Sequence, residues 1–301
     1  MILKENSALS VGAVLADLKV FLEENGFVVE RYQEVAEDVG YELIMSKNSV
    51  LYCFRSFDNT NPYYTSSSSF YGLSGIAMTC ASSYDAEQSW NYQSGKADRE
   101  VVMFLSSACD YTFAFNEQTN QVFLYAKSFA DVFTGMCFGE VGTSSIPFFT
   151  ATSRLQSGYG GTVEEIIDNQ TYPFFDSTNT CIYYANSWMT GDYAVSTTTS
   201  KSVPNYLYSK VNSVYSRSAS VETGVSALMP NDFYVYDSEY SIYRYAGSIE
   251  GLYLVNMRDL DVESEKMFGS KTYRMIPFFS KPSPVVLGGR RNMSGFALEL
   301  A

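Results

Sequence analysis

Alternation of apolar and polar side chains predicts a chain built mainly of short β-strands, with one helix near its N-terminus. Ser10 is a suitable N-cap for that helix, and Asn25–Gly26 is a typical stop. Between them runs an apolar stripe spaced by three and four positions, made of Val11, Val14, Leu15, Leu18 and Leu22. Cap, stripe and stop therefore predict the same helix.

The residues after this helix alternate as strands do. Short strands are predicted over residues 27–32, 41–44 and 50–57. Residues 1–58 are thus expected to form a helix-plus-sheet unit, and the serine-rich run 59–69 to form a loop or an arm. Residues 59–301 are expected to form a larger, mainly antiparallel β body with long loops. The predicted fold class is β-rich α+β, and the two parts are compatible with one continuous structural unit.

The strongest β signal is a hairpin of residues 111–115 and 122–126, joined by a polar turn. Both alternating sets of its second strand are apolar, so both of its faces can be covered. Beyond it, residues 129–150 are predicted to leave the sheet. Glycines interrupt this aromatic run, and Pro147 is expected to stop the strand ladder.

This aromatic run is the best candidate for a subunit contact, because aromatic side chains are enriched at protein interfaces. Trp90, in the polar run 82–95, is either an interface anchor or a lid over a local core, and the sequence leaves both readings open. The predicted interface residues are Phe129, Phe133, Phe138, Phe148, Phe149 and Trp90.

The C-terminal half repeats the strand signals after a turn-rich region. Strands are predicted over residues 233–236 and 249–256, followed by a hairpin-like return over 271–279. Residues 206–215 fit a strand or a helix equally well. The alternating apolar residues of 295–301 predict a last strand that is held in the sheet.

Composition favours a protein-binding surface over a nucleic-acid-binding one. The 301 residues include 25 Tyr and 21 Phe, and charged residues make up only 18%, against roughly 25% in ordinary soluble domains. The formal net charge of −13 argues against a surface that follows phosphates. A basic group near the C-terminus, Lys281, Arg290 and Arg291, is more simply explained as a solvated loop.

The absence of histidine removes most catalytic chemistry. It excludes Ser-His and Cys-His nucleophiles and the commonest metal ligand. The five cysteines form no CxxC pair, so they predict buried free thiols in a reducing cytosol rather than a zinc or redox site. No signal peptide, membrane span or nucleotide-binding loop is readable. The sequence therefore predicts a non-enzymatic protein without a cofactor or metal.

Paired carboxylates are the one catalytic arrangement that remains, since glycoside hydrolysis needs two of them. Pairs arise by chance in so acidic a chain, so a catalytic role is the weaker interpretation. The candidate pairs are Asp85 with Glu87, Glu164 with Glu165, and Asp237 with Glu239.

Several short segments, taken in order, resemble a known group of proteins. Residues 121–127 form a strand ending in Ala-Lys, an aromatic glycine-containing run follows, and residues 146–153 read Ile-Pro-Phe-Phe-Thr-Ala-Thr-Ser. The later blocks are residues 228–237, 247–253 and 296–300. Together they resemble virion structural proteins of contractile-tailed bacteriophages, over roughly residues 70–301. Where that family has Tyr-Pro-Tyr-Pro-Leu, this chain has Ser-Ile-Pro-Phe-Phe.

The resemblance implies a collar or tail-terminator-like subunit of the phage neck or tail. Such a subunit would be made in the host cytoplasm and would form a homo-oligomeric ring in the virion. Its neighbours would be the head connector or portal adaptor, the tail tube and the sheath. DNA would touch it only passively, and no membrane would be involved. The alternatives are a baseplate or fibre-attachment protein and, from another class, a carbohydrate- or receptor-binding or glycan-cleaving protein.

Overall fold

A computed structural model of the chain describes the secondary structure of most of its length. The described residues are 1–35, 40–58, 74–97, 100–128, 132–141, 146–152, 180–184, 187–190, 194–196, 228–237, 242–256, 260–261, 263–277 and 294–300. They contain one helix and eighteen strands in three sheets, and every described strand pairing is antiparallel. The predicted β-rich fold with an N-terminal helix is therefore confirmed.

The predicted helix is present and ends as its sequence indicates. Ser10 Oγ accepts a hydrogen bond from the Ala13 backbone N–H at 3.2 Å. Gly26 follows the helix with a φ of +79°, which a residue with a side chain would adopt less easily. The helix is α1 (Val11–Glu24).

A five-stranded sheet lies against this helix, in the order β2-β3-β4-β5-β6. Its first three strands confirm those predicted after the helix. The strands are β2 (Val28–Glu34), β3 (Tyr41–Lys47), β4 (Val50–Phe57), β5 (Ser74–Ala81) and β6 (Val101–Leu105).

A seven-stranded sheet has the order β1-β7-β8-β9-β10-β11-β12. It contains the predicted hairpin, whose strands pair from Asp110 opposite Lys127 to Asn116 opposite Gln121. The strands are β1 (Ile2–Ala8), β7 (Cys109–Asn116), β8 (Gln121–Ser128), β9 (Val132–Val141), β10 (Ile146–Thr152), β11 (Thr180–Tyr184) and β12 (Ser187–Thr190).

A six-stranded sheet has the order β13-β14-β15-β18-β17-β16. The closing strand β18 lies between β15 and β17, which confirms the prediction that the last strand is held in a sheet. The strands are β13 (Ala194–Ser196), β14 (Met229–Asp237), β15 (Ile242–Asn256), β16 (Glu265–Phe268), β17 (Lys271–Pro277) and β18 (Ser294–Glu299).

The seven-stranded sheet is the middle of three layers, and its strands β7 to β10 contribute residues to a core on each face. In β8, Val122 and Leu124 belong to the core shared with α1 and the five-stranded sheet. Phe123 and Tyr125 belong to the core shared with the six-stranded sheet. Because strand side chains alternate between the two faces of a sheet, a strand of the middle layer needs apolar residues at both its odd and its even positions. The predicted two-sided burial of this strand is thus confirmed.

Residues 1–58 do not close a sheet of their own. The strand β1 pairs with β7 in the middle sheet, and β4 pairs with β5, which follows it at residue 74. These pairings favour one continuous structural unit over a domain boundary near residue 58.

The prediction that residues 129–150 leave the sheet is wrong for residues 132–141 and 146–150, the part of this range that the structure describes. The strand β9 continues through Gly135 and Gly139, and β10 includes Pro147. Gly139 has a φ of +130°, and a Cβ there would overlap the Asn120 carbonyl oxygen, so the glycine permits a close approach of β8. Pro147 precedes the Phe148–Thr150 segment that pairs with β11, so at this position only β9 is a described neighbour. A missing N–H is tolerated there.

The loop predicted at 59–69, the undecided segment 206–215 and the basic group containing Lys281 lie outside the described residues. Within the described part of the chain, no helix is long and apolar enough to cross a membrane.

Candidate interaction surface

Five of the six predicted interface residues are buried within the single chain. Phe138, Phe148 and Phe149 have 0% exposure, Phe133 has 6% and Trp90 has 4%. A side chain that its own chain covers offers almost no area to a neighbour. These five side chains therefore belong to the core, which corrects the expectation that they form a subunit contact, and Phe129 lies outside the described residues.

Phe138 illustrates why the aromatic run is needed inside. Its ring centroid lies 5.2 Å from that of Tyr52, 5.3 Å from that of Phe54 and 6.5 Å from that of Phe27. These contacts join β9 to the five-stranded sheet and to the segment between α1 and β2. Phe148 belongs to the core on the opposite face. Aromatic enrichment in this stretch follows from two-sided burial in the middle layer.

Trp90 covers the face of the five-stranded sheet that points away from the middle sheet. It packs in a cluster with Ile44, Cys53, Phe57 and Phe104. Of the two readings of the sequence, a lid over a local core is the one the structure supports. The segment that carries it, residues 82–95, is named the covering loop below.

Gln93 organises the covering loop from within, at 2% exposure. Its Nε2 donates to the backbone oxygens of Asp85 (3.0 Å), Gln88 (2.8 Å) and Ser89 (3.1 Å). Its Oε1 accepts from the Asp85 N–H at 2.7 Å. One amide thus replaces the hydrogen bonds that a regular element would supply.

Arg31, on the edge strand β2, fastens the loop from outside. Its guanidinium donates to the backbone oxygens of Gln88 (2.7 Å), Ala86 (2.6 Å) and Asp85 (3.2 Å). Glu42 lies 3.4 Å from the same guanidinium and balances its charge. The planar fork of arginine suits several acceptors at once, so the loop is fixed to the sheet edge.

The two ends of the loop are also held together. The backbone N–H groups of Ser82 and Ser83 donate to the Ser94 oxygen at 3.1 and 3.2 Å. Gly95 has a φ of +64°, and a Cβ there would overlap Ser82 Oγ. This segment is therefore a rigid frame, although it has no regular secondary structure.

The frame displays apolar area to solvent. Tyr92 is 65% exposed and Tyr84 is 37% exposed. Lys96 Nζ lies 5.5 Å from the Tyr92 ring centroid, and the Arg31 guanidinium lies 5.4 Å from that of Tyr84, so each ring has one cationic neighbour. Glu87 is exposed between them in the sequence.

Edge strand β2 continues the same surface. Arg31 is paired with Ile44, which belongs to the cluster under Trp90, and Val28 is paired with Ser46 on the same side of β3. Val28 is 60% exposed, and the exposed Glu30 accepts from Ser46 Oγ at 2.6 Å. We call the exposed set the outer face: Val28, Glu30, Tyr84, Glu87 and Tyr92.

The cysteines fit a structural role. Cys53, Cys80, Cys109 and Cys137 are buried and form no disulfide, which confirms the predicted buried thiols at these four positions. Burial raises the pKa of Cys53 to about 12 and that of Cys109 to about 11. A thiol with so high a pKa is a poor nucleophile at neutral pH, because the thiolate is the reactive form.

Of the predicted carboxylate pairs, only Asp85 with Glu87 has both side chains within the described residues. Asp85 Oδ1 accepts from the Glu87 N–H at 2.9 Å, so this carboxylate shapes the covering loop. Glu164, Glu165 and Glu239 lie outside the described residues, and nothing is described of the Asp237 side chain. Within the same part of the chain, no group of three or more Cys, Asp or Glu side chains is placed to hold a metal ion.

Comparisons with known proteins add no relative. No protein-family model matches the chain, and no curated protein matches it.

Sequence reasoning missed the residues that build this surface. Gln93 lies in a run with no periodic pattern, and the alternation that predicts a strand around Arg31 does not show that its guanidinium binds a distant loop. The one usable signal was the density of Tyr and Trp in a polar run that also contains Gln and Asn, the residue types typical of binding loops.

Proposed function

We propose that this protein is a structural subunit of the virion of a contractile-tailed bacteriophage. It acts as a ring-forming neck, collar or tail-terminator protein that links the head connector to the tail tube and sheath. The ordered resemblance of its segments to such proteins supports this proposal, as does the absence of histidine from the sequence.

The observation that carries the proposal is the outer face. Tyr84 and Tyr92 are exposed on a loop that Gln93 and Arg31 already hold in place. Aromatic side chains on a rigid frame bind with little further loss of conformational entropy. We assign the subunit contact to this surface, in place of the buried phenylalanines.

The charge of the chain suits a ring through which DNA passes. Thirty-three acidic residues against 20 basic ones give a net charge of −13. Carboxylates along a lumen repel phosphate, so the duplex would slide without being held. Tight, salt-sensitive binding of duplex DNA by the purified ring would contradict this part of the proposal.

The test is the state of the purified protein and its place in the particle. The proposal predicts closed rings in negative-stain images and antibody labelling at the neck or tail end of intact virions. Labelling at the distal end would favour a baseplate or fibre-attachment protein. A monomer at all concentrations, absent from virions, would refute the proposal.

The outer face also favours a second candidate, a glycan- or receptor-binding protein. Exposed tyrosine rings can stack on a sugar, and the exposed carboxylate of Glu87, on the same loop, can accept hydrogen bonds from sugar hydroxyls. A glycan array probed with the wild-type protein and with Tyr92→Ser separates the candidates. Sugar binding that the substitution abolishes supports this second class, and a blank array removes it.

A further inference from the structure

The one Asn–Gly dipeptide of the sequence, Asn25–Gly26, lies directly after α1. An asparagine followed by glycine is prone to deamidation, because glycine has no side chain to obstruct its backbone nitrogen. Asn25 is partly buried and Gly26 is exposed. The motif that ends the helix is therefore also a site where the asparagine side chain is chemically labile.

In the folded protein both reacting groups are engaged. The Gly26 N–H donates to the Glu23 oxygen at 3.1 Å, and Asn25 Nδ2 donates to the Phe21 oxygen at 2.7 Å. Lys47 Nζ donates to the Asn25 oxygen at 2.7 Å and lies 4.7 Å from the Phe27 ring centroid. The side-chain amide is thus held against the last helical turn, and the Asn25 backbone carbonyl is tied to Lys47 of the β3–β4 hairpin.

We propose that Asn25 is a deamidation site that the folded cap protects and that opening of the helix end exposes. In the reaction the Gly26 nitrogen attacks Asn25 Cγ and an N–Cγ bond forms. The Cγ–Nδ2 bond breaks, and Nδ2 leaves as ammonia with the proton that Gly26 loses. One water then opens the cyclic imide at either carbonyl, which gives aspartate or isoaspartate.

Deamidation prevents the cap from re-forming. A carboxylate at position 25 cannot donate to the Phe21 oxygen, and it places negative charge at the negative end of the helix. Isoaspartate also lengthens the backbone just before Phe27, a core residue whose ring contacts Tyr52, Phe115 and Phe138. A transient opening becomes permanent damage to the packing between layers.

Peptide mass spectrometry of the full chain tests the proposal under mildly alkaline conditions. Conversion at Asn25 is followed in the native protein and in urea, with Asn6 and Asn48, each followed by serine, as internal references. We expect conversion of Asn25 in urea to be faster than at either reference, and at least about tenfold faster than in the native protein, as protection by local structure requires. Equal rates with and without urea, or a slower rate than the references in urea, would overturn the proposal.

A pair of variants tests the role of the cap. Lys47→Met removes the bond to the Asn25 oxygen and should speed conversion in the native protein while leaving the rate in urea unchanged. Lys19→Met, which removes a partly exposed helical lysine paired with Glu23, is the matched control and should change neither rate. If Lys47→Met retains its circular dichroism spectrum and converts at the wild-type rate, the cap does not protect Asn25. If it does not fold, the wild-type comparison decides.

Discussion

Replacing Gln93 with methionine should release the covering loop while leaving the sheets intact. Methionine has a similar length but can neither donate nor accept the four hydrogen bonds that Gln93 makes with Asp85, Gln88 and Ser89. Gln88→Met is a matched control in the same loop, because the Gln88 side chain is exposed.

The free energy that Gln93→Met removes from the loop can be calculated from these hydrogen bonds. A typical intramolecular hydrogen bond contributes about 0.5–1.5 kcal/mol net. Several of the released backbone groups lie near the surface and can bind water, so we expect a loss of about 2–4 kcal/mol from the loop. That loss is enough to make an open loop, with Trp90 exposed, a substantial population.

Trp90 fluorescence reads out this opening, in a Trp188→Phe background that removes the second tryptophan. Gln93→Met should shift the emission to longer wavelength and increase quenching by acrylamide, while far-UV circular dichroism stays unchanged. Gln88→Met should match the wild type. If Gln93→Met keeps the wild-type emission and quenching, Gln93 does not organise the loop and the reasoning fails.

Three further predictions concern the core. Phe138→Ala should lower the free energy of unfolding by about 3–5 kcal/mol in urea titrations, because it empties a fully buried site among three aromatic rings. A loss below about 1 kcal/mol would contradict the burial of this side chain. Gly139→Ala should destabilise much more than Gly269→Ala, since a Cβ at Gly139 overlaps the Asn120 carbonyl oxygen while nothing lies within 4 Å of one at Gly269; equal effects would show that β8 does not approach so closely. Burial raises the pKa of Cys53 from 9.0 to about 12, so the folded protein binds this proton more tightly than the unfolded chain does. The stability linked to this proton should therefore be intact below pH 9 and fall as the pH rises towards 12. An unchanged contribution of Cys53 in that window, measured against Cys53→Ala, would contradict its burial.

Local signals in the sequence were enough for the elements whose stabilisation is local. The cap at Ser10, the apolar stripe of α1 and the stop at Asn25–Gly26 lie within a few turns of one another, so a single segment contains the whole argument. The β7–β8 hairpin is similar, since its turn and its strands are contiguous.

Non-local context decided the positions where the predictions failed. Pro147 ends a strand in the average case, but here it occupies the part of β10 beside one described neighbour. Gly139 resembles a break, yet it is required by the approach of a residue nineteen positions earlier, Asn120. Neither the strand neighbours of Pro147 nor the approach of Asn120 to Gly139 can be read from the local sequence around those residues.

The same limit explains why the interface was first placed on the wrong aromatics. Trp90 and Tyr92 are two residues apart in one polar run, and one is 4% exposed while the other is 65% exposed. Their side chains point in different directions from a loop that Gln93 and Arg31 hold in place. The sequence pattern carries no sign of those directions.

The most direct test of the central claim is the molar mass of the protein in solution, measured by light scattering after size exclusion. The wild type should elute as a closed oligomer, and Tyr84→Ser combined with Tyr92→Ser should elute as a folded monomer. A control that removes exposed apolar side chains elsewhere, Leu9→Ser combined with Met267→Ser, should retain the oligomer. A wild type that stays monomeric would contradict the proposed ring, and a doubly substituted protein that still assembles would show that the contact does not lie on the outer face.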